Sequence, residues 1–225
     1  MKTIAVIPAR AGSKGIIGKN SKLLEGRPLI EYTIEAALNS NIDKIVVSTD
    51  CKEIKKISNR YKIEVVTRPN EMARDQSPTL LAIQHALQDI DVGFSNVMTL
   101  QPTSPFRTAI HINESIDTFN QESSADSLVS IVEIPHNMSS QKSMYLSNNM
   151  LVGDYSICRR QEVVKKFARN GAIYITRRDK LSEYLFGGNL LPYFMDSISS
   201  IDIDDMNDWR LSELILRGLN SKYSG

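Results

Sequence analysis

Two spacings of apolar residues alternate along the first two thirds of the chain. Ile4-Ala5-Val6-Ile7 is a short, wholly apolar run, the pattern of a strand covered on both faces. After Pro28, the apolar positions Leu29, Ile30, Ile34, Ala37 and Leu38 follow a helical spacing, and proline suits a first helical turn. The alternation predicts further strands at Lys44–Ser48, Ile63–Val66, Val97–Leu100 and Leu128–Ile134. It predicts helices over Cys51–Tyr61, from Ser77-Pro78 (read as a cap followed by proline) to about Ile90, and over Ala109–Phe119. From Pro135 to Lys166 the pattern weakens, which predicts an excursion from the main sheet, a flap or a subunit contact. Regularity returns at Gly171–Ile175 and Ile198–Ile203, read as strands, and then in a helix from about Asp205 to Leu219.

Strand followed by helix, repeated four times, implies an α/β fold: a mostly parallel sheet with helices on both faces. Such sheets bind ligands beyond the carboxyl ends of their strands. That directs attention to the loops at 8–22, 48–51, 67–77 and 101–108.

Composition narrows the function. The 225 residues fit one domain with an appendage, at about 150 residues per domain. Lysine and arginine number 27 against 26 acidic residues, so no strong basic surface is available for nucleic acid or an anionic membrane. No apolar run approaches the roughly 18 residues of a membrane span, and Met1-Lys2-Thr3-Ile4 leads straight into a strand. Cys51 and Cys158 suit neither a disulfide framework nor a zinc site. The expectation is a soluble, cytoplasmic protein.

The candidate chemistry lies in the loops. Between Arg10 and Asn20 the chain places three glycines (Gly12, Gly15, Gly18) and three cations (Arg10, Lys14, Lys19). Glycine lets backbone approach an anion closely and the cations neutralise it, so a polyphosphate fits; a flexible basic cap on the sheet would read the same way. The P-loop pattern fails at Ser13 and Asn20, and no G-x-G is present. In Ser200-Ile201-Asp202-Ile203-Asp204-Asp205, a strand would turn Asp202 and Asp204 to one side. Two such carboxylates suit Mg2+, or simply an exposed strand end, while Asp205 suits the cap of the last helix. Gln101 sits in a loop stiffened by Pro102 and Pro105. Asp50 reads as the cap of the following helix or, alternatively, a ribose-binding acid. His85, His111 and His136 show no metal-ligand spacing, and Trp209 reads as core.

Taken together, Ile7 to Gly15, Lys19-Asn20, Val47 to Asp50, Arg68-Pro69, Leu100 to Pro105, Asn170 to Tyr174 and Ser200 to Asp204 resemble the acylneuraminate cytidylyltransferases, the CMP-sialic-acid synthetases. The likeness covers nearly the whole chain. It implies a Rossmann-like domain over 1–134 and 167–225, a dimerisation excursion over 135–166, and a homodimer. It implies transfer of a cytidylyl group from CTP to a nonulosonic acid, giving the CMP-sugar and pyrophosphate. By the same resemblance Arg10, Gly12, Ser13, Lys14, Gly15 and Lys19 hold the triphosphate, with Arg10 on the departing pyrophosphate. Asn20, Arg68 and Thr79 face the nucleoside, and Gln101, Lys142, Arg160 and Tyr174 face the sugar acid. Asp202 and Asp204 carry Mg2+.

Two positions depart from the family pattern: Ala168 stands where the family has arginine, with Arg169 one residue later, and Met138-Ser139 replaces a His-Pro ahead of the excursion lysine. Arg169 is expected to serve the sugar carboxylate across a local bulge, with Arg160 the other candidate. Relatives that activate 3-deoxy-manno-octulosonate are the alternative within the class. A P-loop-like kinase or a non-catalytic nucleotide-binding regulator are the alternatives outside it.

Overall fold

The computed structural model describes residues 1–12, 15–73, 77–90, 93–139, 142–153 and 164–222. Seven strands form one sheet, in the spatial order Leu190–Phe194, Ser127–Glu133, Phe167–Arg177, Asn96–Leu100, Thr3–Pro8, Lys44–Thr49 and Glu64–Thr67. Its parallel half is β1 (Thr3–Pro8), β4 (Lys44–Thr49), β5 (Glu64–Thr67) and β6 (Asn96–Leu100). The other half is β7 (Ser127–Glu133), β10 (Phe167–Arg177) and β11 (Leu190–Phe194). Only β10 runs antiparallel to its neighbours, so the sheet is mostly parallel, as expected of an α/β protein of Rossmann-like form.

The wholly apolar strands are covered on both sides. Ala5, Ile7, Val47 and Met98 pack with Ile34 of α1 (Leu29–Leu38), Ile54 of α2 (Lys52–Arg60) and Ile116 and Phe119 of α4 (Ala109–Gln121). Their alternates Ile4, Val6, Val46 and Val97 pack with Ile83 and Ala86 of α3 (Thr79–Ala86) on the opposite face. A third, smaller cluster matters more for function. Ile16, Leu24, Leu29, Ile203 and Trp209 join the glycine loop, a two-residue hairpin pair β2 and β3 (Leu23–Leu24, Arg27–Pro28) and the last helix α5 (Met206–Lys222).

The sequence reading is corrected at several points. Residues 198–203 are not a strand; they form turns and an open loop, and the strand before α5 is β11. Pro192 obscures that strand in the sequence, yet β11 lies at the sheet edge, where a missing N–H is tolerated. Ser77 does not cap α3: its hydroxyl donates to the Glu71 carbonyl, and Pro78 holds the cap position. The excursion carries a hairpin, β8 (Met144–Ser147) and β9 (Met150–Gly153), turned by Asn148-Asn149 at φ 47° and 60°. That is a two-residue turn with both φ positive, the geometry that matches strand twist. Among the described residues no helix is long and apolar enough to cross a membrane.

Candidate active site

At the carboxyl ends of β1, β5 and β6, one cavity of about 420 Å3 is lined by Arg10, Gly15, Lys19, Asn20, Arg68, Thr79, Gln101, Asp202 and Asp204. Nine positions singled out in the sequence thus meet in one place. Gly12 is not among the lining residues, and a Cβ there would meet nothing within 4 Å. Ser13, Lys14 and Arg160 lie outside the described residues. Lys142, Arg169 and Tyr174 do not line the cavity.

The two halves of the site are fastened to each other by backbone and apolar contacts. Gly15 passes so near the Asp204 carbonyl that a Cβ would sit 2.3 Å from its oxygen, which explains glycine there. Lys19 Nζ donates to the Ile203 carbonyl at 2.6 Å and reaches Asp204 Oδ1 at 3.4 Å. Its ammonium, expected on phosphate, is therefore held on the acidic loop. Below, Ile16 and Ile203 are buried against Trp209, so one apolar cluster supports both loops. Trp209 belongs to that core, as its surroundings in the sequence suggest.

Other fastenings were not visible in the sequence. Asp50 Oδ1 accepts the Ala11 N–H at 2.8 Å, so this acid ties down the glycine loop and is neither a helix cap nor placed on the cavity. Cys51 holds the cap position of α2. Thr49 Oγ1 donates to the Ala9 carbonyl at 2.5 Å. Asn20 Nδ2 donates to the Arg10 carbonyl at 3.1 Å, which leaves Oδ1, buried and without a protein partner, as the acceptor on the cavity side chain. Arg68 is 6% exposed and donates to the hydroxyl and carbonyl of Ser48. Burial lowers its pKa, opposed by Asp50 and reinforced by Arg10.

The acidic loop differs from the expected strand in geometry but keeps the two carboxylates at the cavity. Asp202 is largely buried, and burial raises its pKa; a hydrogen bond with Thr103 opposes this, and Asp204 pushes it further up. Its Oδ1 is buried without a partner. The Asp204 side chain is 80% exposed. Asp205 is the helix cap, as expected: its Oδ1 accepts the N–H groups of Asn207 and Asp208. Asp208 reciprocates by accepting those of Asp204 and Asp205. Among the described residues no group of three or more His, Cys, Asp or Glu side chains could hold a metal. The donor set on offer is two carboxylates, one of which has a buried oxygen without a partner, which suits Mg2+ sharing its remaining ligands with water and phosphate.

Next to Asp202 lies the irregular part of β10. The register with β7 shifts between Arg169 and Tyr174, and Gly171 has φ +76° there, so the bulge expected around Asn170-Gly171 is present. A Cβ on Gly171 would lie 3.2 Å from Asp202 Oδ2. Asn170 holds the bulge: Oδ1 accepts from Ser130 Oγ and the Ala172 N–H, and Nδ2 donates to Ser200 Oγ. The Arg169 guanidinium lies 4.5 Å over the ring of Phe186, on which Tyr174 stacks at 5.4 Å. Burial raises the Tyr174 pKa, and Arg169 opposes it. Phe186 carried no sequence signal, because only folding brings it between two residues 5 positions apart on β10.

A family model described as "Cytidylyltransferase" matches residues 4–205. The N-acylneuraminate cytidylyltransferase of Escherichia coli O18:K1:H7 is 36% identical over 224 residues, covering 97% of this chain and 53% of that protein. The CMP-N,N'-diacetyllegionaminic acid synthase of Legionella pneumophila is 37% identical over 228 residues, covering 96% of this chain and 97% of that one. The chain therefore spans about half the length of the first relative and nearly all of the second. Among solved structures, a CMP:2-keto-3-deoxy-manno-octonic acid synthetase complexed with CTP superposes with a TM-score of 0.76 at 16% identity, covering 97% of this chain and 99% of that one. That last likeness is one of fold. The match over residues 4–205 takes in both loops of the cavity and the sheet that carries them, and the chain belongs to the cytidylyltransferase family, a family of nucleotidyl-transferring enzymes.

Proposed function

We propose that the chain transfers the cytidylyl group of CTP to the anomeric hydroxyl of a nonulosonic, sialic-type acid. The hydroxyl oxygen bonds to the α-phosphorus, the bond to pyrophosphate breaks, and the hydroxyl proton is released. The observation that carries this reading is one cavity in which Arg10, Lys19 and Arg68 face Asp202 and Asp204, with the Asp202 Oδ1 buried and unpartnered. Arg10 and Lys19 neutralise the triphosphate, and charge growing on the leaving pyrophosphate is met by Arg10. Asn20 Oδ1 offers an acceptor to the exocyclic amine of cytosine. Gln101, at the β6 end of the cavity, faces the sugar acid, with Tyr174 and Arg169 beyond Asp202. Asp202 and Asp204 would hold Mg2+, which when bound supplies charge neutralisation at the phosphates.

Relatives at 36% and 37% identity are named for sialic-type acids, which favours this acceptor over an octulosonate. The exposed apolar hairpin, with Tyr145, Leu146, Met150 and Leu151 each at least 60% exposed, supports a homodimer formed through the excursion of 135–166. A nucleoside triphosphate substrate and a free Cys51 thiol agree with a cytoplasmic setting.

The test is pyrophosphate release from CTP with N-acetylneuraminate, legionaminate, pseudaminate and 3-deoxy-manno-octulosonate in parallel, with the CMP-sugar identified by mass. Release with at least one of the first three is expected. No release with any acid, or release with the octulosonate alone, overturns the reading.

A further inference from the structure

Arg107 is a charge buried at unusual depth. Only 2% of it is exposed, and it is among the largest fully buried side chains of the protein. Among the described residues no carboxylate lies within ion-pair distance of it, and its Nε is buried without a partner. Its remaining donors go to three neutral acceptors on three separate elements. Nη1 donates to the Gln101 carbonyl at 3.0 Å and to the Ala172 carbonyl at 2.8 Å, and Nη2 donates to Thr33 Oγ1 at 2.6 Å. Thr33 Oγ1 in turn reaches the Gln101 carbonyl at 3.4 Å.

A buried guanidinium is a costly way to fill space, since an apolar side chain of similar volume usually serves stability as well or better. What an apolar residue could not do is fasten these particular carbonyls together. Gln101 lines the cavity, and Ala172 follows Gly171, the bulge residue that abuts Asp202. The planar fork therefore links the end of β6 to the bulge of β10, behind the wall that carries Gln101 on one side and supports Asp202 on the other.

We propose that Arg107 is a positioning residue for the transfer reaction: held by Thr33, it sets Gln101 against the β10 bulge and so fixes the sugar-acid side of the cavity relative to Asp202. This rests on the function proposed above. The nucleotide side hangs on other fastenings, namely Asp50 to Ala11, Arg68 to Ser48 and Lys19 to Ile203. Loosening Arg107 therefore disturbs one substrate and spares the other. A residue of purely structural importance would instead lower the folded, active fraction and leave both Michaelis constants alone.

The experiment compares Arg107→Lys, which keeps the charge and loses the fork, with Thr33→Val, which removes one anchor of the fork at nearly constant volume. For each, thermal unfolding, kcat and the two KM values are measured with whichever acid the wild type accepts. The expected result is a rise of about tenfold or more in KM for the sugar acid in Arg107→Lys, with KM for CTP within twofold. Thr33→Val should shift the same constant in the same direction by about threefold. Folded variants with both KM values within twofold of wild type overturn the proposal. If Arg107→Lys does not fold, Thr33→Val alone decides, and an unchanged sugar-acid KM overturns it. A wild type that releases no pyrophosphate with any acid would defeat the functional reading instead, so the two failures are distinguishable.

Discussion

Replacing Gly15 by alanine tests whether the glycine loop and the acidic loop work as one unit. The added Cβ would stand 2.3 Å from the Asp204 carbonyl oxygen and 3.4 Å from its carbon. Carbon and carbonyl oxygen settle at about 3.3 Å or more, so one loop must retreat by about 1 Å. The neighbour is backbone, and no side chain can rotate away to absorb the strain. A misplacement of about 1 Å within a reacting constellation costs on the order of 100-fold in rate, or about 2.7 kcal/mol of barrier. The sheet is untouched, so the unfolding midpoint should move little. Steady-state pyrophosphate release at saturating CTP and sugar acid, alongside thermal unfolding, measures both quantities. Gly218→Ala on α5 is the control, because a Cβ there meets nothing within 4 Å. If Gly15→Ala kept kcat within threefold of wild type with an unchanged midpoint, the close passage of the two loops would not set the site's geometry.

Asp204→Asn and Asp202→Asn should each lower turnover by about 100-fold or more, consistent with the several kcal/mol a metal supplies. Mn2+ titration followed by electron paramagnetic resonance should show weakened binding in both, and near-normal rates at limiting Mg2+ would exclude these ligands. Ser130→Ala should cost about 1–3 kcal/mol in denaturant unfolding, because the buried Ile173 N–H and Asn170 Oδ1 both lose a partner. His111 has its pKa lowered from 6.5, chiefly by burial, with Asp196 and Glu114 opposing and Arg107 reinforcing. The folded protein thus binds that proton more weakly than the unfolded chain, and stability contributed above pH 6.5 is lost as pH falls below it. His111→Gln, which retains an acceptor for the Thr108 N–H, should flatten the unfolding midpoint between about pH 5 and 7; an unchanged slope would show that another group titrates. Leu146→Glu with Leu151→Glu should convert a dimer to a monomer in sedimentation, and a monomeric wild type would refute the dimer.

The parallel half of the sheet was legible because runs such as Ile4 to Ile7 and Val97 to Leu100 leave no polar position for an exposed face. The acidic pair was legible as a pair, but its backbone was not. Asp202 and Asp204 stand on a loop held by Thr103, Lys19 and the buried Ile203, contacts that no local period encodes. Asp50 misled because an acid before a helix ordinarily caps it, whereas here the partner is Ala11, 39 positions earlier. Phe186 and Arg107 stayed silent for the same reason: their roles exist only once distant segments are adjacent. Along β10, Arg169 lies over Phe186 beside Tyr174, and the bulge that carries the shift was the part foreseen.

The bond from Lys19 to the Ile203 carbonyl spans 184 positions, most of the length of the chain. Chains are made from the amino terminus and their early parts tend to organise first. β1, β4, β5 and β6, with the glycine loop on β1, all precede residue 101 and pair among themselves. The nascent protein therefore holds its glycine loop on a parallel half-sheet while the acidic residues that complete the cavity have yet to be joined to the chain. Closure of that long-range contact joins the two loops that line the cavity.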